Sequence, residues 1–130
     1  MKNNLPVTQT EIHLGADDIV VSTTDIKGQI TSVNQTFVRI SGYEEAELIG
    51  QAHNLVRHPD MPVEAFADLW SVLKEGRPWS RLVKNRCKNG DFYWVEANVT
   101  PVFKEGSVVA YMSVRRRPDP AKVQVAEAAY

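Results

Sequence analysis

The chain has 130 residues and a formal net charge of -1. A chain of this length fits one domain, which would bury roughly two-thirds of the surface of its unfolded state. The charge balance argues against a nucleic-acid partner, because such a partner requires a basic face. No run approaches the ~20 apolar residues that span a bilayer, and the single cysteine, Cys87, excludes an internal disulfide.

The two ends of the chain differ in character from its middle. Residues 1–17 are polar and irregular, and we interpret them as an N-terminal cap on a domain that spans residues 18–117. Pro118 and Pro120 cannot continue a strand, so we expect residues 118–130 to begin a linker that turns helical. Residues 121–130 resemble the first turns of a helix that is cut short, which predicts that the chain is a piece of a longer protein.

The first half of the domain predicts a β-hairpin followed by helices. β-Branched runs from Ile19 to Thr24 and from Gln29 to Val33 are typical of strands, and Gly28 suits the turn between them. Asn34 has the position and the side chain of a helix N-cap. Two short helices follow, and Pro62 then opens the main helix.

The last third of the domain predicts three strands. One runs from Trp79 to Lys88 and the next from Phe92 to Phe103, joined by Asn89-Gly90, and the last runs from Val108 to Arg116. Consecutive strands joined by tight turns are antiparallel, and only the helical middle is available to cover them. The sequence therefore predicts an α+β fold, with a five-stranded antiparallel sheet and short helices covering one face.

The alternation of side chains along these strands predicts which residues face the core. Lys84, Arg86 and Lys88 share one face, which we expect to be the solvent face, so Asn85 points to the covered side. A buried Asn85 is either a core residue bonded to the backbone or a ligand contact. Trp94 falls on the outer face, where we expect it to pack against the N-terminal cap or a partner. In the last strand, either of the two alternating sets of side chains could face the core.

Residues 53–62 gather cations, an amide and rings just before the main helix. Arg57 with its neighbouring histidines suits an anion or a heteroaromatic group, whereas a loop tethered by Asp60 and an Arg57 ion pair is the alternative. The histidines have no metal-like spacing, so we expect no metal site. No glycine-rich phosphate loop or nucleophile motif occurs, and the pattern favours sensing and binding over enzymatic turnover.

Longer stretches of the sequence resemble the PAS sensory domain. The resemblance rests on Asn34 after the second strand, on residues 41–43 and 47–50, and on residues 88–91 followed by Tyr93-Trp94-Val95. A more specific resemblance, to the N-terminal PAS domain of bacterial aerotaxis receptors, rests on residues 22–25, 53–62, 65–70, 78–80 and 83–86. It extends over residues 7–117.

This resemblance implies a domain that binds FAD without covalent attachment, between the sheet and the helices, and signals its redox state for aerotaxis. It implies a cytoplasmic domain of a receptor anchored in the inner membrane. The expected partners are FAD and the other domains of that receptor, with a homodimer left open and the chemotaxis kinase complex reached only through the full-length protein. By position, the expected cofactor-binding residues are Arg57, His58, Asp60, Trp70, Trp79, Asn85, His53, Asn34 and Tyr111.

Two alternatives stay open. One is a haem-binding PAS domain, for which His58 stands just before the main helix. The other is a cofactor-free PAS domain that serves only for interaction or dimerisation. Light-sensing flavin relatives carry a cysteine in the segment after the second short helix, and residues 51–60 contain none, so we do not expect photoadduct chemistry.

Overall fold

Five antiparallel strands form one sheet, in a computed structural model that describes residues 7–130. The strands are β1 (Ile19–Asp25), β2 (Ile30–Val33), β3 (Trp79–Arg86), β4 (Phe92–Lys104) and β5 (Ser107–Arg116). The helices are α1 (Gln35–Ser41), α2 (Glu45–Leu48), α3 (Val63–Lys74) and α4 (Pro120–Ala129), and a 3₁₀ turn spans His53–Val56.

The strand order in the sheet is β2-β1-β5-β4-β3, and every neighbouring pair is antiparallel. Three of the four pairings join strands that follow each other in the chain. The fourth, between β1 and β5, runs along the full length of β1 and closes the sheet around its middle strand. This architecture confirms the predicted α+β fold.

The predicted cap at Asn34 is confirmed, and it does more than begin α1. Its Oδ1 accepts hydrogen bonds from Phe37 N at 3.0 Å and from Val21 N at 3.1 Å, while its Nδ2 donates to Ile19 O at 2.8 Å. One amide thus satisfies a free donor of the helix and two backbone groups of β1. Asn34 therefore fixes the angle at which α1 leaves the sheet.

The strand register settles which side of β5 faces the helices. Tyr111, Ser113 and Arg115 are buried on that inner face, beside the inward-facing Val95 and Ala97 of β4. Between β4 and the helices, these side chains build the main core, which α1, α2 and α3 cover. The orientation that the sequence left open is thus decided by long-range pairing.

The helices of the middle cover the inner face as predicted, whereas α4, in the segment expected to begin a linker, lies on the outer face. Ala126 of α4 and Tyr130 after it pack against Phe92 and Trp94 on the outer face of the sheet. Trp94 is only 3% exposed, and its ring lies 5.9 Å from that of Tyr130. The expected cover for Trp94 was the N-terminal cap or a partner, but the main cover comes from the end of the chain itself.

The prediction that Arg86 faces solvent is also wrong. Arg86 is 7% exposed, and its guanidinium donates to Tyr43 Oη at 3.3 Å and to Lys88 O at 3.5 Å. Alternation alone cannot foresee this burial, because the covering Tyr43 comes from the turn between α1 and α2. Long arginine stems are readily buried when the head finds acceptors.

The described part of the predicted N-terminal cap (residues 1–17) lies along the start of β4. Ile12 N donates to Phe92 O at 2.7 Å, and Phe92 N donates to Thr10 O at 3.0 Å, so the segment adds a short parallel bridge at Glu11. Residues 1–6 of the predicted cap lie outside the described residues. The described part of the cap therefore protects the edge of β4 near Trp94.

Candidate functional site

A cavity of about 400 Å³ lies between the inner face of the sheet and α3. This volume is in the range of small-molecule sites, which are concave and mostly apolar with a few convergent polar groups. Its apolar lining comes from α3, β3 and β4, from Phe66, Leu69, Leu73, Val83, Ala97 and Val99. The polar lining comes from the end of β1 and the β1–β2 turn, from the 3₁₀ turn and Arg57 after it, and from β3 and β5.

The structure brings six of the nine predicted site residues to this cavity. They come from four different elements and connecting segments, and they are His53, Arg57, Trp70, Trp79, Asn85 and Tyr111. Asn34, His58 and Asp60 do not line it. Cofactor contact by any of the nine residues stays a prediction, since the geometry describes positions and not a bound group.

Aromatic rings form the walls near the cavity mouth. The Trp70 ring is 36% exposed and meets the Tyr111 ring edge-on, with centroids 5.7 Å apart. Trp79 is buried, and its Nε1 donates to Asp68 Oδ2 at 2.9 Å, which fixes the plane of the indole. Flat, fixed aromatic walls favour a planar ligand.

Arg57 lies at the mouth, directly after the 3₁₀ turn. Its guanidinium sits 4.6 Å above the Phe66 ring, and its backbone forms an isolated bridge with Asn85 of β3. Burial lowers the pKa of Arg57 from its usual value, a direction that follows from removing a charge from water. The bridge and the ring contact hold this cation in a fixed place beside the cavity.

The most deeply buried charge at the cavity is one that the sequence analysis did not single out, Arg115. It is 1% exposed, donates to His53 Nε2 at 3.0 Å and to Ser22 Oγ at 2.7 Å, and lies over the Phe37 ring at 4.7 Å. A signal was available, because alternation places Arg115 on the same face as Tyr111. Alternation alone does not show that Arg115 is buried, because either face of that strand could be turned to the core.

Hydrogen bonding around Arg115 fixes the state of His53. A guanidinium offers only donors, so His53 Nε2 must accept, and Ser22 Oγ lies 3.1 Å from the same nitrogen. Burial and the nearby Arg115 charge lower the pKa of His53 to about 3. Burial also lowers the pKa of Arg115, to about 10. At neutral pH the pair is a neutral imidazole and a full cation.

The charges around the cavity all have one sign. Lys27, Arg57 and Arg115 are the permanently charged side chains among the described residues that line it, and none of those residues is Asp or Glu. The groups that surround the Arg115 head are a neutral imidazole, a hydroxyl, a carbonyl and a ring. Charges interact more strongly in a low-dielectric interior than in water. The cavity is therefore suited to a ligand with negative or electron-rich edges.

His58 and Asp60 serve the loop rather than the cavity lining. His58 is buried, its Nδ1 accepts from Asp60 N at 3.0 Å, and its ring meets Phe92 edge-on. Asp60 pairs with Lys84 Nζ at 2.8 Å, and this bond lowers the pKa of the carboxyl group. Burial, then Lys84, lowers the pKa of His58. Both residues anchor the segment that carries Arg57 to β3.

Asn85 and Tyr93 lie side by side in the floor of the inner face. Asn85 is 4% exposed and lines the cavity, whereas Tyr93 is fully buried and its hydroxyl meets no partner of good geometry among the described residues. Burial raises the pKa of Tyr93, and the adjacent Asn85 and Arg115 oppose that shift. Of the two, Asn85 is the one that presents hydrogen-bonding groups to the cavity.

Cys87 is poorly suited to act as a nucleophile. It is buried, its Sγ donates to Ile40 O at 3.3 Å, and burial raises the pKa of its thiol to about 11. A thiol in this state carries almost no thiolate at neutral pH. Cys87 is therefore a small core residue.

A five-stranded antiparallel sheet with short helices over a lined cavity defines a class of sensory domain. The family profile described as PAS fold matches residues 30–115, and the chain belongs to this family. Within residues 7–130, no helix is long and apolar enough to cross a membrane.

Among curated proteins, the chain is 51% identical over all its 130 residues to the aerotaxis receptor of Escherichia coli K12. It is 30% identical over 99 residues, 75% of the chain, to a nitrogen fixation regulatory protein of Klebsiella pneumoniae. The chain spans only 26% of the first protein and 20% of the second. These similarities agree with the resemblance to the PAS domain of aerotaxis receptors.

Solved structures show the same fold at lower identity. The dark state of the blue-light photoreceptor Aureochrome1 LOV superposes with a TM-score of 0.74 at 18% identity, covering 88% of each chain. A light-oxygen-voltage domain from a study of a flavin analogue gives a TM-score of 0.71 at 22% identity, covering 86% of this chain and 87% of that one.

Proposed function

We propose that this chain is a redox-sensing PAS domain that binds FAD without a covalent bond and signals its redox state for aerotaxis. The observation that carries the proposal is the cavity, whose described lining combines fixed aromatic walls with three cations and no carboxylate. The 51% identity to an aerotaxis receptor over the whole chain supports the same function.

The residues present fit a flavin. A flavin supplies reversible redox chemistry on a planar ring, one edge of which carries hydrogen-bond acceptors. Trp70, Trp79 and Tyr111 offer the ring contacts, and Asn85 and Arg115 offer donors at the floor. Cys87, with its raised pKa and its bond to Ile40 O, supports a non-covalent site.

We infer a sensor and not an enzyme from the state of the titratable groups. His53 is held neutral and its Nε2 already accepts a hydrogen bond from Arg115, so it is poorly placed to act as a general base near pH 7. The output is then a change of conformation. Its receivers are the other domains of a longer receptor, because the chain spans 26% of its E. coli relative. Anchoring in the inner membrane, a cytoplasmic location and contact with the kinase complex belong to that receptor.

Asn85 is our candidate for the redox-responsive group. Its amide carries both donors and an acceptor, and its strand is bridged to Arg57 and neighbours Tyr93. Reduction places a hydrogen on a flavin nitrogen that formerly accepted, and rotation of the amide would answer that change. Asn85→Ser, in protein that still holds FAD, should remove the redox dependence of hydrogen exchange in residues 7–17. Unchanged redox dependence would assign the signal to another route.

Absorption of the freshly purified chain tests the proposal directly. Flavin bands that remain with the protein on gel filtration and are released on unfolding are expected. FAD at 100 times its dissociation constant should add about 2.7 kcal/mol of stability and raise the melting temperature by several degrees. A haem Soret band, or melts that superimpose with and without FAD, would contradict the proposal.

A further inference from the structure

The mouth of the cavity is built from three pieces of chain. These are the turn between β1 and β2, which ends at Gly28, the segment 52–57, and the first turns of α3 with Phe66 and Trp70. Each piece places at least one side chain on the rim. Two of these side chains, Lys27 and Arg57, are cations, and Asn54 adds an amide.

The turn that carries Lys27 is held firmly. The Asp25 carboxylate accepts from Lys27 N at 2.9 Å and from Gln29 N at 3.0 Å, and His53 N donates to Gly28 O at 3.0 Å. Gly28 has φ +85°, and a Cβ there would stand 3.4 Å from the Trp70 ring. The turn is therefore tied both to the segment before Arg57 and, by close approach, to α3.

The side chain of Lys27 has no acidic partner in this setting. Within residues 7–130 it forms no ion pair, and the nearest acid in sequence, Asp25, directs its carboxylate at backbone amides. The other rim cation, Arg57, is held by its ring contact with Phe66. An exposed lysine is normally solvated, but this one lines a cavity whose every charged group is positive.

Resting on the proposed function, we propose that Lys27 is a phosphate-binding residue that holds, together with Arg57, the phosphate groups of the flavin nucleotide at the cavity mouth. The ring system enters between the sheet and α3, and the phosphates stay at the rim, where water can still reach them. Lys27 acts there as a mobile point charge, while the planar guanidinium of Arg57 fixes the orientation of the phosphate. The division of labour predicts that Lys27 contributes affinity for phosphate but not for the ring.

Riboflavin, FMN and FAD separate these contributions, because they share one ring system and differ in phosphate content. We would titrate each into apo-protein of the parent chain, of Lys27→Gln and of Lys27→Glu, and follow flavin fluorescence. Lys27→Gln should weaken the binding of FMN and FAD by about fivefold, and Lys27→Glu should weaken it more. Both losses of affinity should be smaller at high salt. Riboflavin affinity should not change in Lys27→Gln. Lys122→Gln, an exposed lysine of α4 on the other face, is the matched control and should change nothing.

The outcomes separate this inference from the function on which it rests. A parent chain that binds none of the three flavins overturns the proposed function and this inference with it. A parent chain that binds FAD while Lys27→Gln binds it equally well overturns the inference alone. Equal loss of riboflavin, FMN and FAD also overturns it, because Lys27 would then act through the shape of its turn.

Discussion

The inner and outer faces of the sheet are covered by different means. On the inner face, α3 stands off from the strands and leaves a cavity of about 400 Å³ beside the buried cation Arg115. On the outer face, Trp94 and Phe92 are closed over by Ala126 and Tyr130. The Tyr130 hydroxyl accepts from Arg81 Nε at 2.8 Å and donates to Leu82 O at 2.8 Å, so it clamps the end of the chain to β3.

The difference separates binding from structural support. Close packing stabilises, and a void removes contacts from every atom that lines it. The inner face therefore gives up packing where a ligand can restore it, and the outer face supplies compensating apolar contact. A change in the inner face acts on a sheet whose other face is covered by α4 and Tyr130.

Trp94→Ala should have the largest effect on stability. Removing a buried indole from the outer cluster is expected to lower the free energy of unfolding by about 3–5 kcal/mol, measured by urea denaturation of apo-protein. Trp70→Ala, at the exposed cavity mouth, should cost less stability and more flavin affinity. Equal losses of stability in the two variants would contradict the division between the faces.

Ala97→Leu should separate binding from stability. Ala97 is buried on the cavity floor, so the added carbons fill the space of the ligand. Flavin affinity should fall about 100-fold or more, equivalent to about 2.7 kcal/mol, while the stability of the empty domain stays level or rises. Ala126→Leu is the matched change on the outer face, where overpacking should cost about 1–3 kcal/mol. A stabilising Ala126→Leu would show that the outer face also holds free space.

His53 should make the inner face sensitive to acid. Its pKa is about 3 in the folded chain and 6.5 by reference, so the unfolded state takes up a proton first as the pH falls. The stability that neutral His53 contributes is fully present above pH 6.5. Below that pH the free energy of unfolding falls by up to about 1.4 kcal/mol per pH unit, which amounts to about 2 kcal/mol by pH 5. In His53→Gln this part of the pH dependence of denaturation should vanish.

His58 remains in that variant and contributes to both proteins alike, because its pKa is lowered as well. His13→Gln, at an exposed position, is the control and should keep the dependence of the parent chain. A His53→Gln curve parallel to that of the parent from pH 7 to pH 5 would mean that His53 is not held neutral.

Tyr130→Phe should have the smallest effect, about 1 kcal/mol. The ring stays against Trp94, but Arg81 loses an acceptor and Leu82 O loses a donor. Hydrogen exchange of α4 amides should rise, whereas flavin affinity should change little. A large loss of flavin affinity would instead reveal strong coupling between the two faces.

Local features of the fold were predictable because neighbouring residues decide them. The Asn34 cap needs only the next three residues, and the Asn89-Gly90 hairpin needs only its flanking strands. Arg86 was expected at the solvent face but is covered by Tyr43, and Trp94 was expected to be covered by the N-terminal cap or a partner but packs against α4. Alternation defines the face of a strand, but it does not say whether another element lies on that face.

Six of the predicted site residues reach one cavity, and the residues missed there share a reason. The segment 53–62 and Asn85 stood out by residue type, while Arg115 and Lys27 look like ordinary charges in the sequence. Arg115 becomes unusual only because β5 pairs with β1 and brings its head to Ser22 and His53.

The sequence by itself determined the order and type of the elements, the antiparallel hairpins and the resemblance to a PAS domain, because periodicity, turn chemistry and motif are local. Only the tertiary structure decided that the described lining of the cavity holds three cations and no carboxylate, and that α4 covers the outer face. Both depend on contacts between segments far apart in the chain, with Arg115 and Ser22 93 residues apart. Burial gives such a contact its chemical effect, because charges interact more strongly in a low-dielectric interior than in water.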